Sequence, residues 1–233
     1  MSELILIPCS GSKVEGSAPI QQERRATDDL STEYTKKLNL LRNNVFNAFN
    51  LTSKVKIDEL MPAYRRYTGN IYSKIPKLAW EKLKENKGLE IIIISAYYGI
   101  IYWDEPIICY NIAMSDNISP KRKLSTWWRK KGLTEIVAHF INNKEYDNVK
   151  SLLSISYQAA LQGIQSKIST GWLQYEYPKL GSGSDYYRGV DIKNLLLDKN
   201  FHCPNCNFRK IRRISRIEFH CAFCDQNFFK KID

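Results

Sequence analysis

The chain has 233 residues, 43% hydrophobic and 12% aromatic, a globular composition that excludes wholesale disorder. No run approaches the roughly 18 apolar residues of a membrane span. Lys and Arg outnumber Asp and Glu by 35 to 24, and the resulting +11 favours an anionic partner, nucleic acid before an acidic membrane surface.

In chain order, Glu3-Leu-Ile-Leu-Ile-Pro8 predicts a buried strand, and Cys9-Ser-Gly-Ser-Lys13 a polar loop after it. Ser10, Ser12 and Lys13 around Gly11 suit a phosphate or carboxylate, although the spacing of a Walker loop is missing. Cys9 lacks a diagnostic Cys/His pairing and reads as a buried structural thiol. Asp28, Asp29 and Ser31 are starts for an amphipathic helix reaching about Phe49, and Pro76 to Asn86 predicts a second helix, ended by Gly88. Glu90–Ser95 is an isoleucine-rich strand, apolar on both faces, which calls for a sheet covered on both sides. Ser119 to Asn142 reads as mostly helix, with Trp127 and Trp128 early in it. Val149–Ser154 predicts a strand and Tyr157–Ile168 a helix; Gly181–Ser184 is a loop, and Asp191–Asp198 a short helix or linker. This alternation predicts an α/β fold, a largely parallel sheet covered by helices. Ligands of such sheets gather at the carboxyl ends of strands, and polar loops stand at three of those ends: Cys9–Lys13, Ala96–Asp104 and Ser154–Tyr157. His139, His202 and His220 fit no catalytic triad.

The last 35 residues differ from the rest. Lys199 to Asp233 holds eight basic and three acidic residues, hence +5, while the first 198 hold 27 and 21, hence +6. Cys203-Pro-Asn-Cys206 and Cys221-Ala-Phe-Cys224 are two C-x-x-C pairs fourteen residues apart, the spacing of a tetrahedral structural Zn²⁺ site with no open position for catalysis. Between them a rough period of two predicts strand, so residues 199–233 read as a four-cysteine zinc ribbon appended to a domain of residues 1–198. Arg209, Arg212 and Arg213, interleaved with phenylalanines, suit phosphate contact and stacking. The alternative is a ribbon that only caps the domain. Met1-Ser-Glu begins no secretion signal, so the expectation is a cytoplasmic protein, in which disulfides between these cysteines are disfavoured.

Pro62-Ala-Tyr-Arg-Arg-Tyr-Thr-Gly-Asn-Ile-Tyr72 resembles the P-A-x-x-x-Y-x-G-x-V-Y block of the YaaA family of peroxide-stress proteins. Ile92-Ile-Ile-Ser-Ala-Tyr-Tyr-Gly-Ile-Ile101, continuing through Asp104 and Tyr110-Asn-Ile-Ala-Met114, is similar to its L-S-G-L-Y-G-L-L-R-P-x-D and P-Y-R-L-x-M blocks. Leu124-Ser-Thr-Trp-Trp128 falls where the family has L-Y-x-F-W. Pro8-Cys-Ser-Gly-Ser-Lys13 replaces an S-P-A-K-type loop, Tyr102-Trp103 replaces the arginine of R-P-x-D, and Cys109-Tyr110-Asn111 replaces P-Y-R. The resemblance implies a basic-cleft α/β protein that binds DNA, with a helix-hairpin-helix-like element around Tyr67-Thr-Gly-Asn70. Gly69 permits a tight turn whose amides approach phosphate, and Arg65 and Arg66 add charge.

Two functions follow as the main expectations, beside a third, a phosphate-handling enzyme on nucleotides with the Ser10–Lys13 turn as its anion site. The first is an enzyme acting on damaged or modified bases, in the form of an N-glycosylase serving DNA repair or phage defence. Asp104 is its candidate base, Asn70 and Asn111 read a base edge, Tyr97, Tyr98 and Trp103 stack, and Ser10, Ser12 and Lys13 hold a flanking phosphate. Tyr67, Gly69, Tyr98, Gly99 and Tyr110 complete the expected binding surface for nucleic acid, double-stranded DNA in the first place. The alternative is a non-catalytic DNA-binding protein of oxidative stress. Oligomeric state is not legible in the sequence.

Overall fold

The computed structural model describes residues 2–20, 24–51, 56, 58–177 and 183–197, and beyond them 211–213, 218–221 and 226–229. Its centre is a five-stranded sheet. β1 (Glu3–Pro8) pairs in parallel with β3 (Leu89–Ser95) on one side and with β8 (Asn148–Ser151) on the other. β9 (Gly171–Gln174) continues the parallel run, and β4 (Gly99–Tyr102) closes the opposite edge antiparallel, giving the order β4-β3-β1-β8-β9. Leu4 to Ile7 and Ile91 to Ile94 are fully buried, which explains their unbroken apolar runs: helices cover both faces. Each such side chain contributes about 1.5–3 kcal/mol on leaving water.

The helices expected from periodicity are α1 (Thr32–Ala48) and α3 (Lys77–Glu85). Between them lie β2 (Met61–Pro62), which pairs with β5 (Pro106–Ile107), and the single-turn helix α2 (Ala63–Arg66). The stretch expected as one helix from Ser119 to Asn142 is instead a hairpin, β6 (Asn117–Ser119) with β7 (Arg122–Lys123), then α4 (Leu124–Lys131) and α5 (Leu133–Lys144). Ser-Pro-Lys-Arg-Lys offers no apolar residue to bury, and Gly132, at φ +95°, ends α4 in the left-handed conformation. Tyr157–Ile168 likewise divides into α6 (Ile155–Ala160) and a 3-10 turn, Ile164–Lys167, separated at Gly163. α7 (Ser184–Leu196) starts seven residues before the expected position. Ala96–Asp104, read as loop, contains β4: Gly99, at φ +73°, turns the chain back after three residues, the hairpin closed by a left-handed residue.

In the C-terminal segment, β10 (Ile211–Arg213), β11 (Glu218–Cys221) and β12 (Asn227–Phe229) form a three-stranded antiparallel sheet, so strand does occupy the interval between the cysteine pairs. Cys203, Cys206, Cys224 and Arg209 lie outside the described residues, as do the side chains of Cys221, Arg212 and Arg213. Among the described residues no helix is long and apolar enough to cross a membrane.

Candidate functional site

β1 has parallel neighbours reached in opposite directions, β3 and β8, so the carboxyl end of β1 is the point where the winding reverses and a crevice opens. The chain leaves β1 there as Cys9 and the Ser10–Lys13 turn. Ser10 Oγ accepts from the backbone N–H of Ser12 at 3.1 Å and of Gly69 at 3.0 Å. A Cβ on Gly69 would stand 2.3 Å from that oxygen, so only glycine permits the approach. Thr68 N–H donates to the Ser12 carbonyl at 3.1 Å, and Lys13 bridges to Tyr67 through the backbone. The Ser10–Lys13 and Tyr67–Gly69 segments, 54 or more residues apart in sequence, are thus fastened into one unit.

Lys13 turns back over this unit. Its Nζ donates to the Ser10 carbonyl at 2.7 Å and lies 3.9 Å from the Tyr110 ring centre and 5.5 Å from that of Tyr67. It has no carboxylate partner among the described residues. Burial pushes its pKa down, the Cys9 and Cys109 thiols push it back up, and the Arg66 guanidinium lowers it further. The aromatic faces offset part of the lost hydration. A half-buried ammonium with no counter-anion among the described residues is a site for an external one.

Beneath Lys13 runs a buried hydroxyl chain. Tyr67 Oη is 2.7 Å from Tyr110 Oη, which is 2.8 Å from Ser95 Oγ, and Ser95 Oγ accepts from Tyr98 N–H at 3.0 Å. Cys9 Sγ is 3.0 Å from Tyr157 Oη, and Tyr72 Oη donates to the Pro8 carbonyl at 2.9 Å. Burial raises the pKa values of Tyr67, Tyr72, Tyr110 and Tyr157 well above the ordinary phenol, so they act as neutral hydrogen-bonding groups. Ser10, Ser12, Lys13, Tyr67, Gly69, Tyr98 and Tyr110 therefore converge. Asn70 and Asn111 are exposed next to Gly69 and Tyr110. Sequence patterns do not single out Ser95, Tyr72 or Tyr157; Ser154–Tyr157 is legible only as one of the three loops. Cys9 is buried, 5% exposed.

Other expected residues lie elsewhere or are otherwise engaged. Arg66 is fully buried, its guanidinium donating to the carbonyls of Val14 at 2.5 Å and Glu59 at 2.6 Å, so it braces the fold instead of meeting phosphate; Arg65 is exposed. The amides of Thr68 and Gly69 are taken by Ser12 and Ser10. With α2 only one turn long, the Tyr67–Asn70 block has a single-turn helix before it and α3 starting seven residues after it. Gly99 is buried, a Cβ there meeting Leu38, Trp128 and Leu133 at 3.0–3.2 Å, so its role is in the hairpin. Trp103 stacks on Trp80, centroids 5.5 Å apart, as part of the core.

Asp104 is separated most. β4 runs back along β3, Gly99 opposite Ser95 and Tyr102 opposite Ile92, so Asp104 emerges at the other end of the sheet, about 15 Å along the strand from Ser95. There it lines a cavity of about 430 Å³ with Arg24, Lys87, Glu90, Lys144 and Tyr146. Its Oδ1 is buried without a hydrogen-bond partner among the described residues, and burial raises its pKa. The one pocket expected from three loops is two sites at opposite ends of the strands.

A third feature is a basic face. Between Asn117 and Thr134 stand Lys121, Arg122, Lys123, Arg129, Lys130 and Lys131 without an acid, as many charges as the net +6 of the first 198 residues. All but Arg129 are exposed, and none is in an ion pair among the described residues. Arg122 and Lys131 share a groove of about 290 Å³ with Asn44 and Trp127. α4 is pinned to the Lys13 edge, since Trp128 Nε1 donates to the Ala96 carbonyl at 2.9 Å and Ala96 N–H to Cys9 Sγ at 3.5 Å. The charge run is open to view in the sequence, but assigning it to a helix conceals that half lies on a hairpin.

Compared with known proteins, residues 14–184 match the family described as peroxide stress protein YaaA. The chain belongs to the YaaA family. The match takes in Tyr67, Gly69, Ser95, Asp104, Tyr110 and the basic face, and starts one residue after Lys13. β1 and the C-terminal strands lie outside the YaaA correspondence. No curated protein sequence matches the chain.

Proposed function

We propose that the chain is a DNA-binding protein of the peroxide-stress response that holds the phosphate backbone on its basic face and seats one anionic group at Lys13. The observation that carries this reading is the run of six cations from Lys121 to Lys131, without an ion pair among the described residues, anchored by Trp128 to the end of the sheet where Lys13 has no counter-anion among them. Cations on phosphates release counterions, so binding falls linearly with salt on a logarithmic scale, by about 0.9 per phosphate contact. Fluorescence anisotropy on a labelled duplex is expected to give such a slope, and the triple variant Lys121→Glu, Arg122→Glu, Lys130→Glu to flatten it by about three contacts. An unchanged slope in a folded variant contradicts the reading. The C-terminal segment we take as a zinc ribbon on the strength of its two C-x-x-C pairs.

A second reading, hydrolysis of a damaged or modified base from DNA, is favoured by Asp104 alone. A carboxyl with an unpartnered buried oxygen and a raised pKa, in a cavity, suits proton transfer to or from a reacting group. Alkali-labile sites on duplexes carrying modified bases, absent with Asp104→Asn, support it. None with any substrate leaves the non-catalytic protein.

A further inference from the structure

We propose that a third cavity, away from Lys13 and Asp104, binds an uncharged nucleobase. It has a volume of about 450 Å³ and lies between the face of β8–β9 and the turn that follows α6. In the sheet register Ser151 lies opposite Gln174 and Val149 opposite Trp172, so Ser151, Trp172 and Gln174 share one face. All three line the cavity.

Two donors there have no partner among the described residues. Ser151 is fully buried with no partner for Oγ, and Trp172 Nε1 is buried and equally unpartnered. Buried donors are seldom left so, because each forfeits its hydrogen bonds to water. The acceptors beside them are held in place. Gln174 Nε2 donates to the carbonyls of Ser151 at 3.1 Å and Tyr175 at 2.9 Å, which uses both amide hydrogens and leaves Oε1 as an acceptor. Gln158 Nε2 donates to the Leu153 carbonyl at 2.9 Å. Fixed donors beside fixed acceptors match the alternating N–H and C=O groups on the edge of a base. Leu153, Leu161 and Ile164 supply apolar contact for the ring. Charge sets the limit on the ligand. Among the described residues that line the cavity there is no Lys or Arg and there is Glu176, so a phosphate is disfavoured, in contrast to the Lys13 site. The base arrives either as a free nucleoside or turned out of a nucleic-acid strand.

Calorimetry with guanosine, adenosine, uridine, cytidine and their 5′-monophosphates tests the free source. Anisotropy with a single strand carrying one central base, against the same strand abasic at that position, tests the other. Ser151→Ala is the main variant: it removes an unpartnered hydroxyl, leaves the fold intact by circular dichroism, and is expected to weaken binding about tenfold. Gln174→Leu is expected to do the same by removing the acceptor. Nucleoside binding that is tighter than that of the monophosphate and weakened about tenfold in both variants supports the site with a free ligand. A preference for the base-bearing strand that both variants reduce about tenfold supports it with a flipped base. No binding of either kind, equal binding of monophosphates, or binding indifferent to both substitutions overturns it. Because the basic-face variants leave this cavity intact, failure here is distinct from failure of DNA binding.

Discussion

The contact between Ser10 and Gly69 fastens the two segments that present Lys13, and it makes a quantitative prediction. Replacing Gly69 with Ala places a Cβ 2.3 Å from Ser10 Oγ, well inside contact distance, and Ser10 is only 9% exposed. The hydroxyl must swing away, losing its bonds to the amides of Gly69 and Ser12. At roughly 0.5–1.5 kcal/mol each, Gly69→Ala is expected to cost about 1–3 kcal/mol. Ser10→Ala loses the same two bonds and is expected to cost about as much. In the double variant the clash is gone, because the remaining Cβ of residue 10 lies 3.4 Å from the new methyl, an ordinary contact. Adding Gly69→Ala to Ser10→Ala is therefore nearly free, within about 0.5 kcal/mol, and alanine's smaller unfolded-state entropy works in its favour. Urea denaturation of the four proteins in a double-mutant cycle measures this, with an expected coupling of about 1–3 kcal/mol, the cost that the second substitution no longer carries. Additive costs refute the fastening of the two segments through this oxygen.

Asp104 gives a pH signature. Burial raises its pKa, so the folded chain holds the proton more tightly than the unfolded one, and stability is lost as pH rises through the folded value. Asp104→Asn, neutral throughout, is expected to exceed the parent in stability at pH 7, the advantage vanishing below about pH 4, where both states are protonated; chemical denaturation at the two pH values checks it. For Lys13, inorganic phosphate at ten times its Kd is expected to stabilise the parent by about 1.4 kcal/mol in thermal melts, and Lys13→Met to abolish the effect. If the C-terminal segment is the zinc ribbon proposed, metal analysis gives one zinc per chain, lost with Cys203→Ser and released by chelator with the C-terminal strands unfolding.

Legibility follows the range of the interactions. β1 and β3 are visible in the sequence because a strand buried on both faces must be apolar throughout, and α1 and α3 because one stripe of each must be buried. β4 and β9 are not. Gly-Ile-Ile-Tyr continues a loop with no break that local propensity detects, and Gly-Trp-Leu-Gln is four residues long; each exists through its pairing with a neighbour. At the site, the turn Ser10–Lys13 and the block Tyr67–Asn70 each stand out, but the oxygen that joins them shows only in three dimensions. Arg66 shows the converse limit: an arginine beside a glycine turn has the composition of a phosphate contact, and three-dimensional packing turns it inward.

The same limit governs the catalytic question. Proton transfer needs the acid or base within hydrogen-bond reach of the reacting atom. The antiparallel return of β4 puts Asp104 at one end of the sheet and Lys13 at the other, so no single nucleotide is gripped by Lys13 while Asp104 acts on it. The basic face is tied to the Lys13 end through Trp128 and Ala96. DNA held there presents its backbone to the end where Lys13 has no carboxylate partner among the described residues. Base processing by Asp104 then requires a second approach of the substrate, over Arg24, Lys87 and Lys144 at the far edge. That requirement separates the two readings. If Asp104 acts on the DNA that the basic face holds, charge reversal at Lys121, Arg122 and Lys130 lowers binding and activity together. If the edges work independently, those substitutions flatten the salt dependence of binding and leave any Asp104-dependent base release as it was.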